Sequence, residues 1–409
     1  MGNAADGMAE NATRAFFWTH VGGMVSLGVL NDGHCSFAAG VSADGTVVVG
    51  TAYDGAVHNR DRAFRWTRSS GMVNLGVLNG GLFSYAKGVS ADGSVVVGGA
   101  DDGAADNEMR AFRWTQAGGM VSLGGLNGGG ESSAAGVSAD GSVVVGSAED
   151  GAAGNAYRAF IWTLSGGMVS LGGLNSGAYS YATGVSADGK VVVGLAEDGL
   201  SGEYHAFRWT RAGGMVSLGR CCGAAYSPAN AVSADGKVVV GFSDGNTMSR
   251  AFRWTRATGI QSVENWLRAA GVGVDQNITC EATALNRDGS VVVGRTQNKT
   301  AFIAQVTPIG SGLVTLAGVQ GSLAGSAGGG QMALTSAGCE DHGTRSGNLG
   351  LAEFGLGKSL SPVLVNLSLG QTWAKPNQVL NGNTTTEGAY LLAEALVPVT
   401  DQLWATPGA

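Results

Sequence analysis

A self-similarity of about 48 residues constrains this chain more than any other feature. The hexapeptide Arg-Ala-Phe-Arg-Trp-Thr occupies residues 62–67, 110–115 and 250–255, with variants around Phe16, Phe160 and His205. Its tryptophans, Trp18, Trp66, Trp114, Trp162, Trp209 and Trp254, are spaced by 48, 48, 48, 47 and 45 residues. Each of the first five copies continues with Gly-Met-Val-Ser/Asn-Leu-Gly, as at 23–28 and 71–76. Then comes Gly-Val-Ser-Ala-Asp-Gly-x-Val-Val-Val-Gly, as at 88–98 and 184–194. The sixth copy diverges at 285–294.

One repeat holds four strand-like pieces. Phe64 and Trp66 fall on one face of a two-residue alternation, and Ala63 and Arg65 on the other. Val73 and Leu75 alternate with Met72 and Asn74, and residues 85–90 and 94–98 supply the remaining two strands. Between these, Ala91-Asp92-Gly93 has hairpin chemistry, with Asp accepting turn N–H groups and Gly supplying positive φ. The unbroken run Val95-Val96-Val97 predicts a strand buried on both faces.

Four antiparallel strands per period of about 40–50 residues define a β-propeller blade. A β-solenoid is the rival, but its coils are shorter and need no hairpin in each turn. The expected fold is therefore all-β: a propeller over residues 1–306 with six full blades and an orphan strand at Ala301, seven blades in the intact protein. The orphan strand implies a seventh blade whose other three strands lie upstream of Met1, and hence a truncated product. Residues 262–271 carry a Ser followed by Glu264 and end at Gly271, which predicts a helical insertion packing Trp266 and Leu267 on the propeller.

Beyond the repeats the character changes. Residues 307–347 read as a Gly/Ala/Ser-rich linker. Residues 348–409 show longer alternating stretches with aromatic ends and an Asn381-Gly382-Asn383 turn, suiting an incomplete antiparallel β-barrel. Ordinary sandwich strands are the alternative.

Composition agrees with this picture. Glycine supplies 71 of 409 residues, and charged residues only 13%. A net charge of −7 disfavours a nucleic-acid partner. No apolar run is long enough for a membrane helix, and residues 1–7 have neither a basic nor an apolar stretch, so no signal peptide is read there. Five cysteines, Cys35, Cys221, Cys222, Cys280 and Cys339, form no CxxC pair and leave the compartment open.

The motif series resembles the HAF-repeat extracellular proteins of bacteria, the motif standing here as His205-Ala206-Phe207. The likeness covers residues 2 to about 306. The tail, with Gly388-Ala389-Tyr390-Leu391-Leu392-Ala393-Glu394 and Leu403-Trp404-Ala405, looks like the opening strands of an autotransporter barrel. Together these resemblances imply a passenger exported to the outer membrane or cell surface, with a host or matrix protein or a glycan as partner.

The residues signal no catalytic centre and no cofactor. His20, His34, His58, His205 and His342 fall at unrelated phases and form no HExxH or HxH pattern. Repeated carboxylates are better candidates. Asp54, Asp102, Asp150 and Asp198, with Asp244, each precede Gly and could form acidic girdles for Ca²⁺. Asp44, Asp92, Asp140, Asp188, Asp235 and Asp288 are the hairpin aspartates, whose simpler role is to satisfy their own turns. Arg65, Arg113, Arg208 and Arg253 are expected to pair with neighbouring acidic loops. Near-identical blades describe a scaffold, so any ligand would meet the irregular loops 104–109 and 152–157 and the stretch 220–228. The expected function is non-catalytic adhesion or protein and glycan binding. The contrasting reading is a polysaccharide hydrolase or lyase using the central cleft, and a third is a gene fragment without present function.

Overall fold

The computed structural model describes residues 1–6, 12–19, 23–221, 223–245, 248–307, 310–320, 322–325, 332–335, 369–370 and 390–391. Two units divide the chain, one of residues 1–18 and 24–342, the other of residues 19–23 and 343–409. In the second unit the described strands Leu369–Gly370 and Tyr390–Leu391 pair antiparallel. The rest of the expected barrel, residues 348–409, lies outside the described residues.

The first unit is a β-propeller. Its second sheet runs in the order Ser36–Val41, Val47–Asp54, Arg60–Thr67, Gly71–Asn74. The third is Ser84–Val89, Val95–Asp102, Glu108–Thr115, Gly119–Ser122, and the fourth is Ser132–Val137, Val143–Asp150, Ala156–Thr163, Gly167–Ser170. A nine-stranded sheet holds two such meanders, Ser180–Val185 through Gly214–Gly219 and Ala229–Val232 through Gly259–Ser262, bridged by the short strand Tyr226–Ser227. Next come Thr279–Leu285, Val291–Thr296, Thr300–Thr307 and Gly310–Gln320. A five-stranded sheet unites Ser322–Gly325 and Met332–Thr335 with Gly2–Asp6, Ala12–Thr19 and Gly23–Ser26. The innermost strands adjoin one another in chain order, and Ser322–Gly325 touches both Thr279–Leu285 and Ser36–Val41. Counting the nine-stranded sheet as two, seven units therefore surround one axis.

Three expectations change here. The strand at Ala301 is not an orphan: Thr300–Thr307 pairs with Val291–Thr296 on one side and Gly310–Gln320 on the other. Four of the meanders begin at a Ser-x-Ala-x-Gly-Val strand, not at Ala-Phe-Arg-Trp, so the structural repeat is offset from the most visible motif. The segment expected as a linker contributes three strands: Gly310–Gln320 completes the sheet of Thr300–Thr307, and the other two join the N-terminal strands. Strands from residues 2–26 and 322–335 thus share one sheet.

The core sits between successive sheets. Phe64, Phe112, Phe160, Phe207, Phe252 and Phe302 are all fully buried. Phe112 packs with Val96 and Ala100 of its own sheet against Val47, Val49, Ala63 and Leu75 of the preceding one, with Trp114 beside them. Trp66 is buried, while Trp162, Trp209 and Trp254 pack half-buried in the equivalent clusters; the side chain of Trp18 lies outside the described residues. Val95 and Val97 face one interface and Val96 the other, the two-sided burial that an uninterrupted Val run predicts. At Gly98 a Cβ would stand 2.0 Å from the Tyr85 carbonyl oxygen, beside a bulge between Ala86 and Gly88. Only glycine lets the bulged inner strand come that close.

The expected insertion is the helix Val263–Ala269, capped by Ser262, whose hydroxyl accepts from the Asn265 N–H at 3.1 Å. Trp266 and Leu267 are buried among Val263, Ala282 and Phe302, so the helix seals the interface before the last complete meander. Arg253 stacks over Trp266 at 4.7 Å from its ring centre.

Candidate functional site

The hairpin aspartates satisfy their own turns. The Asp92 Oδ1 accepts from the Ser90 hydroxyl at 2.6 Å and the Ser94 N–H at 3.0 Å. Asp44, Asp140, Asp188 and Asp235 repeat the same pair of bonds, and Asp288 accepts the Ser290 N–H. These hydrogen bonds hold the Asp44, Asp92 and Asp140 carboxyls below the usual range. The hairpins also link to one another: Ala43 N–H donates to Ala91, Ala91 to Ala139, Ala139 to Ala187, Ala187 to Ala234, and Ala234 to Arg287. This backbone chain runs round one rim of the propeller.

The Arg residues of the repeat serve that rim. Arg65 Nε donates to the Gly93 carbonyl at 3.2 Å, and Arg113, Arg208 and Arg253 reach Gly141, Gly236 and Gly289 in the same way. Their partners are thus hairpin carbonyls of the next sheet rather than acidic loops.

At the opposite rim stand the aspartates considered for calcium. Asp54 is 2% exposed and accepts from Asn31 Nδ2 at 2.7 Å, Asn74 Nδ2 at 2.8 Å and the Ala56 N–H at 3.0 Å. Asp102 accepts from Asn79 and Ala104, Asp150 from Asn127 and Ala152, and Asp198 from Asn175 and Leu200. Each Asn belongs to the loop leaving the preceding sheet, so each aspartate latches two blades together. Each Oδ1 thus holds two protein donors, and no group of three metal-ligating side chains occurs among the described residues. Asp244 differs, bonding Ser249 instead. His205 lies between Asp198 and Glu203, at 3.5 and 3.4 Å from their oxygens.

The latch rests on a motif overlooked in the sequence, Leu-Asn-x-Gly. Its Asn residues adopt positive φ, 47° at Asn31 and 48° at Asn79. A Cβ at the following glycine would lie 1.7 Å from the Tyr53 carbonyl oxygen at Gly33 and 2.0 Å from that of Glu149 at Gly129. A second overlooked device is the serine opening each inner strand. Ser84 Oγ accepts the Ala63 N–H and donates to the Gly76 carbonyl, and Ser36, Ser132, Ser180 and Ser227 do the same.

On this latch rim the repeat breaks. Tyr157 and Tyr181 stack at 5.9 Å across a blade boundary. Across the next, Tyr204 meets Tyr226 at 6.4 Å, and Tyr226 meets Phe242 at 6.0 Å. Tyr226 and Tyr179 are 40% and 39% exposed, and Leu200 and Met248 are exposed on adjacent loops. Tyr157 donates to Glu131; burial and that carboxylate push its phenol well up. Burial and neighbouring acids also raise Tyr204, beside Glu197, and Tyr226, beside Asp244 and Glu281. Glu203 pairs with Arg220, and Glu281 with Arg295 at 2.9 Å. The result is a ledge of half-open aromatic faces bordered by carboxylates. It includes the loop end at Tyr157 and the stretch containing Tyr226, two of the three irregular places that sequence reasoning singled out. The ladder itself was hidden because only Tyr157 and Tyr204 share a repeat position, while Tyr181, Tyr226 and Phe242 come from three others. Cys35 is disulfide-bonded and Cys280 is a free thiol, while Cys222 lies outside the described residues.

No family model matches the chain. No curated protein matches it either. Among solved structures it is similar to TolB from Acinetobacter baumannii, at 13% identity and TM-score 0.41 over 63% of this chain. The chain spans 60% of that protein's length. A putative TolB from Agrobacterium tumefaciens is similar at 12% identity and TM-score 0.41, over 60% of this chain and 86% of that one. A putative 6-phosphogluconolactonase from Bacteroides uniformis is similar at 14% identity and TM-score 0.42, over 78% and 94% of the two chains. Likeness of this degree assigns no activity.

Proposed function

We propose that this protein is a non-catalytic binding propeller of the HAF-repeat type, displayed at the bacterial surface or secreted, and used for adhesion to a host or matrix component. The observation that carries the reading is the aromatic ledge. Six repeats share hairpins and core and four share the Asn–Asp latch, and on that scaffold Tyr157, Tyr181, Tyr204, Tyr226 and Phe242 meet. Half-exposed aromatic faces on a rigid scaffold are costly to leave in water and suited to a ligand. A disulfide at Cys35 fits an oxidising compartment.

The test is retention of the purified chain on arrays of matrix proteins and glycans, with Tyr181→Ser/Tyr226→Ser as the matched variant. Selective retention lost in the variant, with an unchanged melting temperature, supports the reading. Retention identical in both proteins removes the ledge as the site. Shaving intact cells with protease and finding propeller peptides only after lysis would overturn surface display.

A further inference from the structure

We propose that the ledge takes an extended peptide segment bearing lysine or arginine; this inference rests on the binding reading above and names its ligand class. The argument starts from charge. Glu149 and Glu197 occupy the same position in consecutive sheets, each next to the last residue of the second strand or closing it. Each faces a tyrosine across the strand pair: Glu149 opposite Tyr157, and Glu197 opposite Tyr204. Glu131 joins them through Tyr157. Glu203 and Glu281 at the margins have arginine partners, whereas among the described residues no lysine or arginine pairs with Glu131, Glu149 or Glu197. Their hydrogen bonds come from the protein's own backbone and from Tyr157: Glu149 accepts the Glu131 N–H at 3.2 Å, and Glu197 accepts the Ala178 N–H at 2.8 Å. These bonds fix the carboxylates without neutralising them.

Each uncompensated carboxylate stands beside an aromatic face. A guanidinium or ammonium group placed between them meets the negative ring face and the carboxylate together. A neutral sugar would use the rings and leave the charges uncompensated. An anionic polymer would be repelled by them and by the net charge of −7. Glu149 and Glu197 stand at the same place in two adjacent blades, so a segment crossing both meets two carboxylates. That favours an extended chain with repeated cations over a single small amine.

The experiment is fluorescence anisotropy with labelled octalysine, octaglutamate and a neutral hexasaccharide, each at low and high salt. Octalysine is expected to bind, to weaken as salt rises, and to lose about tenfold in Glu149→Gln/Glu197→Gln. Asp106→Asn/Asp275→Asn, which removes the same charge outside the ledge, should leave binding unchanged. Tyr226→Phe should bind octalysine and Tyr226→Ser should lose it, with melting curves confirming that both fold. Equal loss in the two charge variants overturns the proposal, since binding would then follow net charge alone. Hexasaccharide binding that ignores salt and disappears in Tyr226→Ser overturns the peptide class while keeping the ledge as the site. Failure of every probe, together with failure on the arrays, removes both readings.

Discussion

Asn31 of one sheet donates to Asp54 of the next at 2.7 Å, and the same bond joins Asn79 to Asp102, Asn127 to Asp150 and Asn175 to Asp198. The aspartate also accepts the N–H two residues on, opening the turn toward the third strand. One carboxylate thus fixes a blade boundary and a loop. Asp150→Ala would leave the Asn127 amide and the Ala152 N–H without an acceptor. The expected loss is about 1–3 kcal/mol, read as a lowered denaturant midpoint. Asp150→Asn keeps one acceptor and should cost less.

The same geometry bears on calcium. Asp54, Asp102, Asp150 and Asp198 each use Oδ1 on protein donors, so an ion held by both carboxylate oxygens would first break those bonds. The melting temperature is therefore expected to be the same in EDTA and in millimolar Ca²⁺. A calcium-dependent rise of several degrees would show that the latches open to take the ion.

Gly129 ties the latch to the ledge. A Cβ there would stand 2.0 Å from the carbonyl oxygen of Glu149, which is backbone and cannot swing away. Gly129→Ala should cost about 1–3 kcal/mol by forced backbone movement. Because the displaced residue is Glu149, ligand retention on the ledge should fall along with stability. Gly154→Ala is the contrast: its φ is 64°, yet nothing lies within 4 Å of the added carbon. It should lower stability by backbone strain and leave retention intact.

Much of this fold was legible because each repeat writes local rules six times over. The Asp-Gly hairpins, the Phe/Trp face and the two-sided Val run follow from turn chemistry and alternation, and the structure places Asp92, Phe112 and Val96 accordingly. What stayed hidden depends on the neighbouring sheet. Asn31 and Gly33 look like ordinary loop residues until the next blade brings Asp54 and the Tyr53 carbonyl against them. Arg65 finds a hairpin carbonyl for the same reason. The offset between motif and sheet, which left Ala301 without partners on paper, arises because a conspicuous motif need not open a sheet. The ledge was half visible: its loops stood out as irregular, but its rings come from five strands that no sequence window spans.

Tyr157 offers a spectroscopic test of the ledge. Burial and its hydrogen bond to Glu131 push its phenol well up. In an absorbance titration at alkaline pH it should ionise after the other tyrosines. Glu131→Gln removes the charge while keeping an acceptor, and should bring that last transition down. An unchanged final step in the variant would separate Tyr157 from Glu131.

Acid sensitivity should arise chiefly at the hairpin rim. Asp44, Asp92, Asp140, Asp188 and Asp288 are held below their ordinary values first by hydrogen bonds from Ser42, Ser90, Ser138, Ser186 and Ser290. A carboxyl with a depressed folded value stabilises the fold above its unfolded value, near pH 4, and loses that contribution as pH falls through the folded value. Each group is largely exposed, so one contributes little. Repetition round the rim makes the sum visible. Melting temperature should hold steady from pH 7 to about 5 and fall as the pH drops below about 4. Replacing Asp44, Asp92 and Asp140 together by Asn keeps a turn acceptor at each hairpin but removes the titrating charge. The variant should start with a lower melting temperature at neutral pH and fall less steeply in acid. An identical acid slope in both proteins would move the sensitivity to other carboxylates, among them Asp198, which the Asn175 amide holds low.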